Sequence, residues 1–208
     1  MNTKVAICYV GNIIIDRKRM KKLYLPTLIV LLVSFLFVTE SYSQSFEEID
    51  AIPHDISYYR ENRITPPLAK VLYGRPKKNG KEVFGKLIPY NKIWRTGANE
   101  ATEIKFYKDV LFGDTTVAAG TYVLLTIPGK DKWEIILSSK LDVLGAFQYD
   151  PAFDVARITA NVSNAETLES FSIAFKTLDE NVQMVLGWDN TRIKIPLLFE
   201  KESSVVKR

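Results

Sequence analysis

The chain has 208 residues, 47% of them hydrophobic, and 28 Lys and Arg residues against 24 Asp and Glu residues give a formal net charge of +4. This composition is ordinary for a globular protein and suits one domain. The excess of positive charge lies in residues 1–43, which hold six bases and two acids, so 22 bases balance 22 acids in the remainder. The charge argument for a nucleic-acid partner or an anionic membrane therefore fails, and we expect neither.

Residues 20–43 have the order of a secretory signal peptide. The segment begins with a methionine and two lysines, continues through an apolar run over residues 23–38, and ends with Ser41 and Ser43 as the small residues that a signal peptidase requires. We expect cleavage before Gln44, a periplasmic or secreted protein, and no stable membrane insertion afterwards. A transmembrane anchor is the alternative, but the run is short for a span and no basic stop-transfer cluster follows it.

The chain has one cysteine and one histidine. Cys8 lies upstream of the predicted cleavage site, which leaves about 165 residues without a thiol or a disulfide. Export without disulfides is more typical of a bacterial periplasm than of an animal secretory route. A single histidine, His54, excludes a histidine-rich zinc or iron site, and a Ser-His-Asp triad would have to use that residue. We expect a structural or solvated role for His54, because it follows a proline in a predicted arm.

Short β-rich segments alternate with turn signals along most of the chain, at the spacing of an antiparallel sandwich or barrel. Asn79–Gly80 is the strongest hairpin signal, and turns at Gly113–Asp114 and Ala119–Gly120 each join two β-rich runs. Side chains alternate along a strand, so one set should face the core. The predicted inward residues are Trp133, Ile135, Leu137, Phe171, Ile173, Phe175, Val182, Met184, Leu186, Trp188, Ile193, Ile195 and Leu197.

The pattern predicts an all-β fold, an antiparallel β-sandwich or a barrel-like variant of it, with a short polar N-terminal arm. The predicted boundaries are residues 1–43 for an upstream extension plus signal peptide, 44–67 for the arm, 68–200 for a single β-sandwich domain, and 201–208 for a polar C-terminal tail.

Most enzyme signatures are absent from the sequence. It contains no P-loop, no dinucleotide-binding glycine pattern, no Gly-x-Ser-x-Gly elbow and no zinc-type ligand pair. Asp150 and Asp154 are paired carboxylates, but the Asp-Pro step and their spacing fit a surface loop better than a glycosidase pair or a calcium site. The sequence therefore identifies no catalytic residue, and we expect no metal and no cofactor.

The stretch "IWRTGANEATEI", residues 93–104, breaks the alternation and is the best site candidate. It lies between two predicted strands, around Lys92–Arg95 and Thr102–Phe106. Trp94 supplies a flat apolar face, and Arg95 supplies a planar fork of hydrogen-bond donors. Asn99 offers a donor and an acceptor, and Glu100 offers an acceptor. Together these groups could grip a sugar, a carboxylate or a peptide edge.

A structural interpretation of the same stretch stays open. In it Arg95 and Glu100 pair with each other, Asn99 and Thr96 satisfy the backbone of the loop, Gly97 takes a positive φ, and Trp94 fills the core. We expect a mixture, in which Trp94 and Arg95 hold the connection in place while Asn99 and Glu100 point outward as contact groups.

Four segments resemble the bacterial family known as domain of unknown function 2911: "YGRPKKNGKEVFGKLIPYNKIWRTGANEATEI", "AAGTYVLLTIPGKDKWEIIL", "YDPAFDVARI" and "LGWDNTRIKIPL". The resemblance extends over about residues 56–197 and is most specific at 94–102. It implies an exported, β-rich protein of Bacteroidetes-type bacteria without an assigned activity. The matching polar positions are Arg75, Arg95, Thr96, Asn99, Glu100 and Thr102. Gly74 departs from the family pattern, where a serine is usual, and so does Leu144, where a tryptophan is common.

We therefore expect an exported all-β binding or interaction module for an unknown small molecule, glycan or peptide. The alternative is a periplasmic, hydrolase-like enzyme with Glu100 as general base and Arg95 as electrostatic stabiliser. A deep pocket around Glu100 would favour the enzyme, and a shallow aromatic face would favour binding. The candidate ligand-binding residues are Arg75, Trp94, Arg95, Thr96, Asn99, Glu100 and Thr102.

Overall fold

The computed structural model describes residues 50–178 and 181–199, together with two short strands further upstream, β1 (Tyr9–Val10) and β2 (Ile13–Ile14), which pair antiparallel. The chain divides into two compact units, Met1–Glu48 and Ile49–Arg208. The predicted signal peptide, its cleavage site and the predicted C-terminal tail lie outside the described residues. Within the described part of the chain, no helix combines the length and the apolar character needed to cross a membrane.

In the described part of the second unit, nine strands form one antiparallel sheet in the order β3-β4-β5-β8-β9-β10-β11-β6-β7. The strands are β3 (His54–Tyr59), β4 (Ala69–Gly74), β5 (Glu103–Phe106), β6 (Val110–Phe112), β7 (Thr115–Val117), β8 (Gly120–Ile127), β9 (Lys132–Ser138), β10 (Asp154–Leu178) and β11 (Asn181–Phe199). Two short 3-10 helices, Ala146–Gln148 and Pro151–Phe153, lie in the connection from β9 to β10.

The sheet folds over so that its two halves pack face to face. The first part of β10 pairs with β9, and its second part pairs with β11, so this long strand belongs to both layers. Phe106 of β5 packs against Phe112 of β6 and Phe199 of β11, with ring centroids 6.5 and 6.3 Å apart, although these strands are distant in the sheet order. The predicted all-β, antiparallel fold class is confirmed, and the sheet does not close into a barrel.

The core lies between the two layers and contains nearly all of the predicted inward residues. On β10, Phe171 and Ile173 are buried while Ala174 is exposed, which confirms the predicted register of this strand. Phe175 was also predicted to be buried, but it is only half-buried and packs against the edge of the core, with its ring centroid 6.1 Å from that of Tyr59.

The turn predictions had different outcomes. Gly113–Asp114 joins the hairpin of β6 and β7, as predicted. Asn79–Gly80 also forms a turn, with the positive φ angles 48° and 72° that such a turn needs, but the predicted hairpin is wrong. The physical reason is that residues next to the turn bond to β10: the Lys78 amide donates to the Glu169 carbonyl at 2.8 Å. Ala119–Gly120 joins β7 to β8, which are not neighbours in the sheet.

Strand β3 positions part of the candidate site. Its residues fall in the segment predicted as a polar arm, and they pair along β4 from His54 opposite Gly74 to Tyr59 opposite Ala69. His54 thereby comes to the end of β4, where the loop beginning at Trp94 also lies.

Candidate functional site

The loop over residues 94–102 is anchored to strand β8. The Trp94 amide donates to the Thr126 carbonyl at 2.7 Å, and the Thr126 amide donates back at 2.9 Å. The first strand predicted for this stretch, Lys92–Arg95, is reduced in the described structure to this single bridge. The second predicted strand is present as β5. The Trp94 side chain is buried, and its indole N–H donates to the Gly97 carbonyl at 3.0 Å. Trp94 therefore fixes the start of the loop in the core.

The two threonines of the loop are fully buried and bond to its backbone. The Thr102 hydroxyl donates to the Thr96 carbonyl at 2.8 Å, and the Thr96 hydroxyl lies 3.1 Å from that of Thr126. Thr96 also has a φ of 58°, a conformation that costs an L-residue free energy and that the surrounding contacts must stabilise. The positive φ expected at Gly97 is wrong, because in this loop Thr96 and Asn99 take the positive φ angles instead. With no exposed surface, neither hydroxyl can reach a ligand. Thr96 and Thr102 hold the loop in shape.

The loop lies directly against the end of strand β4. A Cβ atom built on Gly74 would be 1.9 Å from the Ala98 carbonyl oxygen, so only a glycine permits this approach. Gly74 is one of the two positions at which the chain departs from the family pattern noted above. The close packing explains why this loop geometry accepts no serine there.

Arg95 is half-buried and does not pair with Glu100, so the pairing considered in the structural interpretation is wrong. Its Nη1 donates to the Leu144 carbonyl at 3.2 Å, in the segment that leads to the first 3-10 helix. Among the described residues, the Arg95 guanidinium has no other hydrogen bond and no ion pair. The arginine thus connects the loop to that segment and keeps most of its donors available.

Asn99 and Glu100 contact the residues that lead into and begin strand β3. The Asn99 side-chain amide donates to Asp50 Oδ2 at 2.7 Å. Glu100 Oε2 lies 3.0 Å from His54 Nε2, and the two side chains are 60% and 38% exposed. His54 therefore has the partly solvated position that its sequence context predicts, and its partner is the carboxylate that the enzyme hypothesis requires as a free base.

Arg75 directly follows strand β4, and its guanidinium bonds to residues outside the loop. Its Nη1 donates to Asp55 Oδ2 at 2.8 Å, and its Nη2 lies 3.4 Å from the Ser172 hydroxyl. The Tyr73 hydroxyl donates to the same Asp55 oxygen at 3.2 Å, and burial raises the pKa of the Tyr73 phenol above its ordinary value. Two cavities lie beside the loop, and Arg75 lines neither of them.

An apolar cavity of about 460 Å³ lies on one side of the loop. Its wall contains the aliphatic residues Leu87, Ile88 and Ile93 and three aromatic residues, Trp94, Phe147 and Trp188. Among the described residues that line it, Arg95 alone is charged. We call this space the apolar cavity.

A second cavity of about 550 Å³ lies on the other side of the loop, and we call it the acidic cavity. The carboxylates of Glu100, Glu103 and Asp142 line it, together with His54 and the apolar residues Leu72, Ala101, Val143 and Leu144. The segment over residues 142–147 forms a wall of both spaces, since its first half lines the acidic cavity and its second half the apolar one. The sequence-predicted residues are therefore divided: Trp94 and Arg95 line one cavity, and Glu100 the other.

A separate charged cluster surrounds Arg157 on strand β10. Its guanidinium donates to Glu134, to Asp154 at 2.8 Å and to the Tyr149 hydroxyl at 2.6 Å. Burial raises the pKa of Tyr149, and its hydrogen bond to Asp154 acts in the same direction. The other member of the predicted carboxylate pair, Asp150, accepts from the Ala152 amide at 3.0 Å as the N-cap of the second 3-10 helix. In the described part of the chain, no group of His, Cys, Asp and Glu has a metal-binding arrangement.

The residues of the apolar cavity that were not predicted as site residues include Phe147, Trp188 and Leu87. Phe147 has a weak sequence signal, since an aromatic residue follows "LDVLGA" in a connection that should be polar. Trp188 was predicted only as core, and it is both core and cavity wall. Leu87 has no sequence signal that separates it from other apolar loop residues.

Comparisons with known proteins identify one relationship. The family model described as "Protein of unknown function (DUF2911)" matches residues 60–197. No curated protein and no solved structure matches the chain.

Proposed function

The chain belongs to the DUF2911 family, whose description assigns no activity, and from the geometry of the site we propose that it is a binding module with a small-molecule ligand in the apolar cavity. Ligand sites in proteins are typically concave, mostly apolar and furnished with a few polar groups. The apolar cavity has this character, since Arg95 is the one charged group among the described residues of a mostly apolar wall.

The observation that carries the proposal is the way the tryptophans of the wall are hydrogen-bonded. The indole N–H of Trp94 donates to the Gly97 carbonyl at 3.0 Å, and that of Trp188 donates to the Glu169 carbonyl at 3.1 Å. Both donors are thus used inside the protein, so the two rings offer the cavity only apolar surface. An apolar ligand can be covered by these rings without leaving an indole N–H unpaired.

Phe147 supports the same proposal. Its side chain is 79% exposed, although it lines the cavity next to the buried tryptophans. A large exposed aromatic residue beside a concave apolar surface is typical of a binding site, because a ligand removes that surface from water.

No observation favours the enzyme alternative. Arg95 and Glu100 line different cavities, so they do not converge on one reacting group. Glu100 is also already in contact with His54, since its Oε2 lies 3.0 Å from His54 Nε2. Of the residues proposed from the sequence, we retain Trp94 and Arg95 as ligand contacts in this proposal.

The export of the protein is part of the proposal and rests on the sequence alone. The methionine, lysines, apolar run and small residues of 20–43 support a signal peptide and a periplasmic or secreted location.

A neutral fluorescent probe tests the binding proposal. N-phenyl-1-naphthylamine fluoresces more strongly in apolar surroundings, and we expect saturable binding of one equivalent to the purified protein. Phe147→Ala should weaken this binding at least about fivefold, since it removes an aromatic contact. Phe153→Ala is the matched control, because Phe153 is also exposed, at 42%, and does not line the apolar cavity. The proposal is wrong if no saturable signal appears or if both variants reduce it equally.

A further inference from the structure

The apolar cavity also indicates the chemical class of its ligand. We infer that it takes a small monocarboxylate with an apolar body, whose carboxylate pairs with the Arg95 guanidinium. The inference rests on the proposed function, since it requires the apolar cavity to be the binding site. It specifies the charge of the ligand, the number of charged groups that the ligand has, and the residue that binds them.

Most of the hydrogen-bond donors of Arg95 have no acceptor among the described residues. A guanidinium has five N–H donors in a fixed plane, and within the described residues only Nη1 of Arg95 has an acceptor, the Leu144 carbonyl at 3.2 Å. That bond holds the group in one orientation while leaving the other donors available. A carboxylate matches the planar fork of a guanidinium with two parallel hydrogen bonds, which a single carbonyl or hydroxyl cannot do.

The two cavities on either side of the shared wall carry opposite charge. None of the described carboxylates lines the apolar cavity, and Arg95 gives it a positive charge. The acidic cavity on the other side of the wall has three carboxylates, those of Glu100, Glu103 and Asp142. An anionic ligand is therefore attracted to the apolar cavity and repelled from the acidic one, and the reverse holds for a cation.

The wall of the apolar cavity offers a partner to one charged group of a ligand, which is the carboxylate that Arg95 binds. Because both indole donors of the wall are already used, a second carboxylate inside the apolar cavity would lose its hydration without gaining an indole partner. An ammonium group would find no carboxylate among the described residues that line the cavity. Dicarboxylates and zwitterionic amino acids should therefore bind more weakly than a monocarboxylate with the same apolar body.

Four compounds that share a phenyl group test the inference: phenylacetate, phenylacetamide, 2-phenylethylammonium and phenylmalonate. Their affinities are measured by displacement of N-phenyl-1-naphthylamine and by calorimetry. Phenylacetate should bind at least about tenfold more tightly than its neutral amide, the ratio expected for a charge-assisted hydrogen bond at a half-buried site. The ammonium compound and the dicarboxylate should both be weaker than phenylacetate.

Two arginine variants locate the effect. Arg95→Gln should abolish the preference for phenylacetate over the amide, and binding of the naphthylamine to the same variant shows whether the cavity still takes an apolar ligand. Arg95→Lys, which keeps the charge and loses the planar fork, should give an intermediate preference. Arg63→Gln is the control, because Arg63 is exposed and lines neither cavity. Melting temperatures of the three variants exclude a loss of fold as the cause.

The outcomes separate this inference from the proposed function. If the naphthylamine binds but phenylacetate and its amide are equal, or if the preference survives in Arg95→Gln, the ligand class is wrong and the binding module stands. A preference for the ammonium compound that Glu103→Gln removes would place that binding in the acidic cavity and overturn the inference. If neither the naphthylamine nor any phenyl compound binds, both proposals fail.

Discussion

The Arg95 guanidinium donates a hydrogen bond to the Leu144 carbonyl oxygen at 3.2 Å, and this contact joins the loop that begins at Trp94 to the wall between the two cavities. The Leu144 side chain, 57% exposed, lines the acidic cavity, whereas the Arg95 side chain lines the apolar one. The wall therefore separates Arg95 from Glu100, which is only five positions further along the chain.

Alanine variants of the loop should separate its structural residue from its surface residues. Trp94→Ala should lower the free energy of unfolding by about 3 to 5 kcal/mol, because it removes a large buried ring. Arg95→Ala, Asn99→Ala and Glu100→Ala should each cost about 1 kcal/mol or less, since their contacts are exposed. Urea denaturation of the four proteins measures the difference. Large losses in all four would make the whole stretch architectural and would remove Arg95 from the proposed site.

Gly74→Ser tests the close approach of the loop to strand β4. The serine Cβ would meet the Ala98 carbonyl at 1.9 Å, and we expect a loss of about 3 kcal/mol or more because backbone must move. Gly80→Ala is the control, since nothing lies within 4 Å of its Cβ and only its φ of 72° adds a cost, about 1 to 2 kcal/mol. Thermal and urea unfolding compare the two. A Gly74→Ser protein as stable as the wild type would show that the loop does not lie as described.

Stability should decline in alkali, partly through Tyr73. Burial raises the pKa of this phenol above 10.0, so the folded protein keeps the proton at pH values where the unfolded chain loses it. The contribution of Tyr73 is therefore complete below about pH 10 and is lost as the pH rises further. Tyr73→Phe cannot ionise, and its free energy of unfolding should fall less between pH 9 and pH 11. Burial raises the pKa of Tyr149 as well, so the decline is reduced and not abolished.

Urea unfolding at several pH values measures this difference, with Tyr107→Phe as a control that removes an exposed hydroxyl. An identical alkaline decline in Tyr73→Phe and the wild type would contradict the role of Tyr73.

Processing is tested by expression of the full chain in a Gram-negative host. We expect a soluble periplasmic protein that begins at or near Gln44, because residues 20–43 have the charge and apolar order of a signal peptide. Intact mass of the periplasmic fraction identifies the N-terminus. Leu31→Arg, which places a charge within the apolar run, should keep the protein in the cytoplasm. An uncleaved, membrane-bound wild-type chain would instead support the anchor alternative.

Local sequence patterns were sufficient to predict the fold class, the core register of β10 and the Gly113–Asp114 hairpin. These features depend on the alternation of side chains along one strand or on the φ angles of two adjacent residues, and both are written in short stretches of sequence. The same local information predicted a hairpin at Asn79–Gly80. The turn exists, but its flanking residues bond to β10, a strand about 90 positions away in the chain, where Glu169 accepts from the Lys78 amide.

The candidate site depended on tertiary structure in the same way. Sequence alone placed Trp94, Arg95 and Glu100 in one polar stretch with a plausible common role, because it shows only that they are close along the chain. Arg95 and Glu100 face different cavities because of tertiary contacts: the bridge to Thr126, the bond to Leu144 and the wall over residues 142–147. Phe147 and Trp188 complete the apolar cavity from other parts of the chain, since a cavity forms only where distant segments meet.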